Sequence, residues 1–105
     1  MTDNEKLARW QGWGHIVGVG WCSPNEDDSM HEYLDCPDYL NDDAAAMSLL
    51  DTLVSKGFRY LCYGESGLID LLVLQGSVEK VRRIKPTRRA AVVAACLELI
   101  GKEDV

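Results

Sequence analysis

The sequence predicts an α+β fold, a three-layer α/β/α sandwich with a small, mostly antiparallel sheet and about three helices. Three observations lead to this prediction: an amphipathic helical repeat in the middle of the chain, two apolar segments separated by a glycine-bounded turn, and a final helix that is apolar on all sides. With 105 residues and 47% hydrophobic composition, the chain is expected to form one domain, residues 1–105.

The first elements are a short helix and a strand. The pattern of residues 7–13 predicts the helix. Thr2, Asp3 or Asn4 is its candidate N-cap, and Gly12 or Gly14 is expected to end it. Residues 15–22 alternate in the manner of a single strand, with His15, Val17, Val19 and Trp21 on one face. Residues 23–37 are polar and acidic, which predicts a surface loop with room for one short strand.

An amphipathic helix is predicted after Pro37. Its apolar stripe falls at helical spacing and consists of Ala46, Leu49, Leu50, Leu53 and Val54. Asn41 or Asp42 is the expected N-cap, and Gly57 is expected to end the helix. The carboxylates at the start of this segment are therefore interpreted as helix-capping and dipole-compensating residues rather than as catalytic groups.

A β-hairpin is predicted next, with strands at 58–63 and 68–74 and a turn at 64–67. Because these strands are almost continuously apolar, we expect helices to cover both faces of the sheet. Residues 78–84 fit either an edge strand or a short helix, and a strand is favoured.

The last helix is predicted over residues 88–100, with Thr87 as its N-cap and Gly101 and Lys102 closing it. Between residues 90 and 97 it is apolar on every side. Such a helix lies either in the core or in a subunit interface, so a homo-oligomer is a possible assembly.

Charge is distributed unevenly along the chain. The net charge is −6, which argues against direct, sequence-independent binding of nucleic acid. Residues 26–43 contain acids and no Lys or Arg, whereas residues 80–89 contain six cations and no acid. No apolar run approaches the roughly 20 residues of a membrane helix, and no secretory signal is recognised, so we predict a cytoplasmic protein without membrane contact.

Metal, cofactor and catalytic motifs are weak or missing from the sequence. The four cysteines form no CxxC pair and are interpreted as reduced thiols; a zinc site built from Cys22, His31 and Cys36 has no standard spacing. The sequence contains no GxSxG, HExxH or phosphate-binding P-loop motif. We therefore expect no metal, no cofactor and no enzymatic activity.

Three short motifs span most of the chain: LARWQGW at 7–13, PDYLNDDAAA at 37–46, and AVVAACL at 91–97 after Thr87. Together they resemble the phage "ABA sandwich" domain family, a family of small bacteriophage and prophage proteins. The resemblance implies an α/β/α sandwich encoded by a phage and does not bring an activity with it. Two positions depart from the family pattern, since Val93 stands where Cys is frequent and Met47 where Trp is frequent.

The first turn of the last helix carries the wrong charge for its dipole. Arg88 and Arg89 directly follow the Thr87 cap, although the positive end of a helix favours acids. An anion is expected to compensate them. Three interpretations are open: a bound phosphate, the chain's own acidic segment, or a solvated basic face.

A phosphate-bearing, nucleotide-type ligand is the first functional hypothesis. The predicted ligand-binding residues are four cations, one hydroxyl and three candidate aromatic stackers, namely Lys85, Arg83, Arg88, Arg89, Thr87, Trp21, Tyr39 and Tyr60. Among small phage proteins this suggests a counter-defence protein that captures an immune signal. The alternative is an inhibitor that binds a host defence protein, for example a CRISPR-type effector, through a nucleic-acid-mimicking face at Glu26, Asp27, Asp28, Glu32 and Asp35. A phage accessory or structural subunit is the second alternative.

Overall fold

The computed structural model describes residues 1–24 and 34–103. Within these ranges the chain forms three helices and two antiparallel sheets, which confirms the α+β class. In chain order the elements are α1 (Asp3–Gln11), β1 (Gly14–Ile16), β2 (Gly20–Cys22), α2 (Asp43–Ser55), β3 (Arg59–Glu65), β4 (Leu68–Gln75), β5 (Val78–Lys85) and α3 (Arg88–Glu103).

The helix starts follow the predicted capping residues. The Thr2 side chain accepts a hydrogen bond from the Glu5 amide, and the Asp42 carboxylate accepts from the amides of Ala44 at 2.9 Å and Ala45 at 3.4 Å. Gly12 ends α1 with a φ of 103°, in the left-handed region that favours glycine. Asp42 therefore caps the start of α2, as predicted.

The predicted single strand at 15–22 is wrong, because the segment folds back as a β1–β2 hairpin. Its reversal is a short turn closed by a 3.0 Å hydrogen bond from the Val19 amide to the Ile16 carbonyl. Gly18 in that turn has a φ of 82°, which a residue with a side chain rarely adopts. The alternating pattern placed His15 and Trp21 on one face correctly, since they pair directly across the hairpin.

The larger sheet has the strand order β3-β4-β5. A two-residue turn, Ser66 and Gly67, joins β3 to β4, and both residues have positive φ, 53° and 78°. Positive φ at both central positions is the geometry of the hairpin turn that matches strand twist. The predicted hairpin and the favoured strand at 78–84 are confirmed.

The helices that cover the sheet differ from the prediction on one of its faces. Helix α3 packs on β4 and β5, and α2 packs beside it against β3. On the opposite face Leu61 and Tyr63 are 43% and 59% exposed, so among the described residues no helix covers it. The apolar run of β4 is divided by the pleat: Leu71 and Val73 enter the core, while their neighbours point outward.

Helix α3 is the centre of the core. It contacts α1, α2, β4 and β5, which explains why it is apolar on all sides. Its end was mispredicted, because the helix continues through Gly101 to Glu103. The ammonium of Lys102 donates a hydrogen bond to the Lys80 carbonyl of β5, and this contact stabilises a last turn that glycine alone would weaken.

The described residues carry no disulfide between their four cysteines, and they contain no cluster of three or more potential metal-ligating side chains. Burial raises the pKa of the Cys96 thiol to about 12. His31, part of the zinc set considered above, lies outside the described residues. Within the same ranges no helix combines the length and apolarity that a membrane crossing needs.

Candidate anion site at the start of the last helix

Helix α3 begins with a hydroxyl cap and two arginines. The Thr87 Oγ1 accepts a hydrogen bond from the Ala90 amide at 3.1 Å, as an N-cap does. No acid lies in the first turn of α3, and Arg88 and Arg89 occupy it. The charge conflict with the helix dipole is therefore a feature of the fold as well as of the sequence.

Two shallow clefts meet at Thr87 and Arg89. The more polar cleft, about 390 Å³, is lined by Asp43, Met47, Thr87, Arg88 and Arg89. The other, about 320 Å³, has a cationic end and an apolar floor and is lined by Leu40, Lys85, Thr87, Arg89, Ala90, Val93, Ala94 and Leu97. The structure thus brings together four of the eight predicted ligand-binding residues: Lys85, Thr87, Arg88 and Arg89.

The chain supplies one anion to this site itself. The Arg89 Nη1 lies 2.7 Å from the Asp43 Oδ1. Asp43 belongs to the first turn of α2, so the two helix starts face each other through this ion pair. Its carboxylate is 75% exposed, which makes the pair a weak, solvent-screened one. Within the described residues Arg88 forms no ion pair, so only one of the two arginines is neutralised.

Arg83 has a different role from the predicted one. Its Nη2 lies 3.0 Å from the Glu98 Oε1 of α3, and its Nε is buried without a hydrogen-bond partner among the described residues. The side chain therefore joins β5 to the middle of α3. It lines neither cleft.

The three candidate aromatic stackers also line neither cleft. The Trp21 ring is buried and stacks on His15, with centroids 4.5 Å apart. Tyr39 is fully buried, and its hydroxyl donates to the Gln11 Oε1 at 2.5 Å. Tyr60 lies on β3 and is 37% exposed. A ligand at Thr87 and Arg89 would therefore meet apolar helix side chains instead of a stacking ring.

The alternative acidic surface is mostly outside the described residues. Glu26, Asp27, Asp28 and Glu32 fall there, and Asp35 is exposed. The hypothesis of a nucleic-acid-mimicking face stays a prediction.

Comparison of the chain with family models, curated proteins and solved structures gives no match. The resemblance to the phage ABA sandwich family therefore remains a prediction based on the three motifs. The fold and the clefts define a class in physical terms: a small α+β domain with a cationic, partly apolar surface site at the start of its central helix.

Proposed function

We propose that this protein is a non-catalytic binding protein that captures a phosphate-bearing small molecule at the start of α3. The convergence of Lys85, Thr87, Arg88 and Arg89 on two adjoining clefts supports the proposal. Guanidinium and ammonium groups beside unpaired helix amides are the groups that bind phosphate in proteins.

The chemistry of the two clefts differs, and that difference suggests a shape for the ligand. Arg88 and the amides of the first turn offer donors to a phosphate, while the Thr87 hydroxyl, which already accepts from Ala90, retains its hydrogen for donation. The floor formed by Ala90 and Val93 suits an apolar or flat body attached to that phosphate. A nucleotide has both parts.

The biological role proposed for this capture is counter-defence in a phage-infected cell. Its support is the resemblance of the three sequence motifs to a phage family, together with the nucleotide-like division of the site. Sequestration requires binding without turnover, which agrees with the missing catalytic motifs in the sequence.

Reversing both arginines, Arg88→Glu and Arg89→Glu, is expected to weaken binding of ADP and inorganic pyrophosphate at least tenfold, because two donors become repelling carboxylates. Isothermal titration calorimetry at low salt measures the affinity. The matched control carries the same change in charge at exposed positions outside the clefts, Lys6→Glu with Lys56→Glu. Equal affinity in the wild type and the arginine variant would contradict the proposal, provided that circular dichroism shows the fold retained.

Removing the charge of Asp43, which pairs with Arg89 in the free protein, should raise the affinity for phosphate ligands. The substitution Asp43→Asn is expected to raise pyrophosphate affinity about two- to fivefold, because an exposed ion pair contributes up to ~1 kcal/mol and its loss releases Arg89. The same titration measures this gain. If Asp43 only joins α2 to α3, the variant loses stability and gains no affinity, and the interpretation of Arg89 as a ligand group fails.

A further inference from the structure

The three-stranded sheet has one face without a partner among the described residues. We call it the open sheet face; it is the set of β3, β4 and β5 side chains on the side opposite α3. Alternation along the paired strands assigns to it Arg59, Leu61, Tyr63, Glu65, Leu68, Asp70, Leu72, Leu74, Glu79, Arg82 and Ile84. Leu68 and Ile84 are 46% and 52% exposed.

The middle of the open sheet face combines apolar side chains with one internally balanced charge pair. Its central charges, Arg82 and Asp70, pair through two hydrogen bonds of 3.1 and 2.6 Å. Because both charges are already partnered within the chain, covering them leaves no buried charge unpaired. Exposed apolar side chains grouped on one face of a sheet often mark an interaction site.

Along β3, the open sheet face carries opposite charges at its two ends, and Glu79 of β5 lies at the same end as Arg59. Arg59 begins β3 and Glu65 ends it, six positions further along the same strand and on the same face. Arg59 is held at its end by a 3.1 Å hydrogen bond to the Gly76 carbonyl. A two-fold axis can lie between two such faces, perpendicular to the strands. It places Arg59 of one copy opposite Glu65 of the partner subunit, and by symmetry the reverse pair also forms.

The same two-fold axis also places one end of the face over a depression at the other end. A depression of about 690 Å³ lies at the Glu65 end, beside Tyr63, Leu68 and Ile84. The two-fold brings the other end of the second copy, with Leu61 and Leu74, onto that depression. The charges at the two ends of β3 are therefore complementary in this orientation, which also sets Leu61 and Leu74 over the depression.

We propose that two copies of this chain associate through their open sheet faces, with strands antiparallel across the interface. Sheets that pack face to face lie ~10 Å apart with their strands aligned within about 30°. The proposal is independent of the anion site, because Thr87, Arg88 and Arg89 lie at the start of α3 and outside this face.

The size of the face sets the expected strength of the dimer. Strands of 7, 8 and 8 residues cover roughly 25 by 14 Å, since a strand rises ~3.3 Å per residue and neighbours lie ~4.8 Å apart. Two copies then cover roughly 700 Å² of flat area, below the ~1,200 Å² of stable interfaces. A weak dimer that dissociates on dilution is the expected state.

Sedimentation velocity from about 1 to 500 µM measures this equilibrium, a range that spans weak protein associations. The wild type is expected to shift from monomer to dimer. Arg59→Glu and Glu65→Arg should each weaken the dimer at least tenfold, because like charges then face each other at both ends. The double variant, with the two charges exchanged, should recover an affinity within about threefold of the wild type.

A matched control is Asp51→Arg, which makes the same charge change as Glu65→Arg at an exposed position of α2 and is expected to leave the dimer unchanged. A chain that stays monomeric at the highest concentration overturns the proposal. A dimer that none of the face variants affects overturns it too, and a double variant as weak as the single ones overturns the antiparallel orientation. Circular dichroism checks that every variant is folded.

Discussion

Replacing Leu49 with alanine is expected to lower the free energy of unfolding by about 2–5 kcal/mol, the range measured for buried leucines. Leu49 is fully buried on α2, the helix that packs against both α3 and β3. Its removal leaves a cavity that the surrounding helices and sheet can fill only in part. Since small domains are stable by about 5–15 kcal/mol, this one change removes a large share of the total.

Urea denaturation followed by circular dichroism measures the effect of the Leu49 substitution. Val54→Ala on the same helix is the control, because Val54 is 59% exposed and is expected to change stability by about 0.5 kcal/mol or less. Equal losses for the two variants would contradict the assignment of the buried side of α2.

Helix starts and the main hairpin were predictable because their signals are local. Thr2, Asp42 and Thr87 each bond to an amide two or three residues away, so the few residues around each cap contain all the necessary information. The Ser66-Gly67 turn is equally local, since it depends on two residues that reach positive φ.

The errors came where distant parts of the chain decide the outcome. Two glycines made the 15–22 segment fit a turn as well as a strand, and pairing between β1 and β2 selects the turn. The end of α3 depends on a contact between Lys102 and Lys80, which are 22 positions apart. The open face of the sheet escaped prediction because a continuous apolar run shows that a strand is hydrophobic, without showing what covers each side.

Part of the candidate site was predictable because its signal is also local. Thr87, Arg88 and Arg89 are adjacent, so their conflict with the helix dipole is visible in the sequence. Asp43 is 46 positions from Arg89, and only the folding of α2 beside α3 brings its carboxylate within 2.7 Å. The aromatic residues were misplaced because their distance in space from Thr87 depends on the whole fold.

Alkaline pH provides a second large effect, at Tyr39. Burial raises the pKa of the Tyr39 phenol above its ordinary value, with the nearby Cys36 thiolate adding to the shift. Below pH ~10 the phenol is protonated in the folded and the unfolded chain. Above it the unfolded chain releases this proton more readily, so Tyr39 lowers the free energy of unfolding by up to about 1.4 kcal/mol per pH unit.

The variant Tyr39→Phe separates this titration from the other groups that ionise at high pH. At pH 8 it should be about 0.5–1.5 kcal/mol less stable than the wild type, because it loses the hydrogen bond to Gln11. The difference should shrink as the pH approaches 10 and reverse between about pH 10 and 11, since phenylalanine has no proton to release.

Urea midpoints measured every half pH unit from 8 to 12 test the Tyr39 prediction. Tyr60→Phe is the control, because it makes the same chemical change at a ring that is 37% exposed. A gap between wild type and Tyr39→Phe that stays constant over the whole range would mean that the phenol is as free to ionise in the folded chain as in the unfolded one. The packing of Tyr39 against α1, which joins the 37–46 segment to the N-terminal helix, would then be wrong.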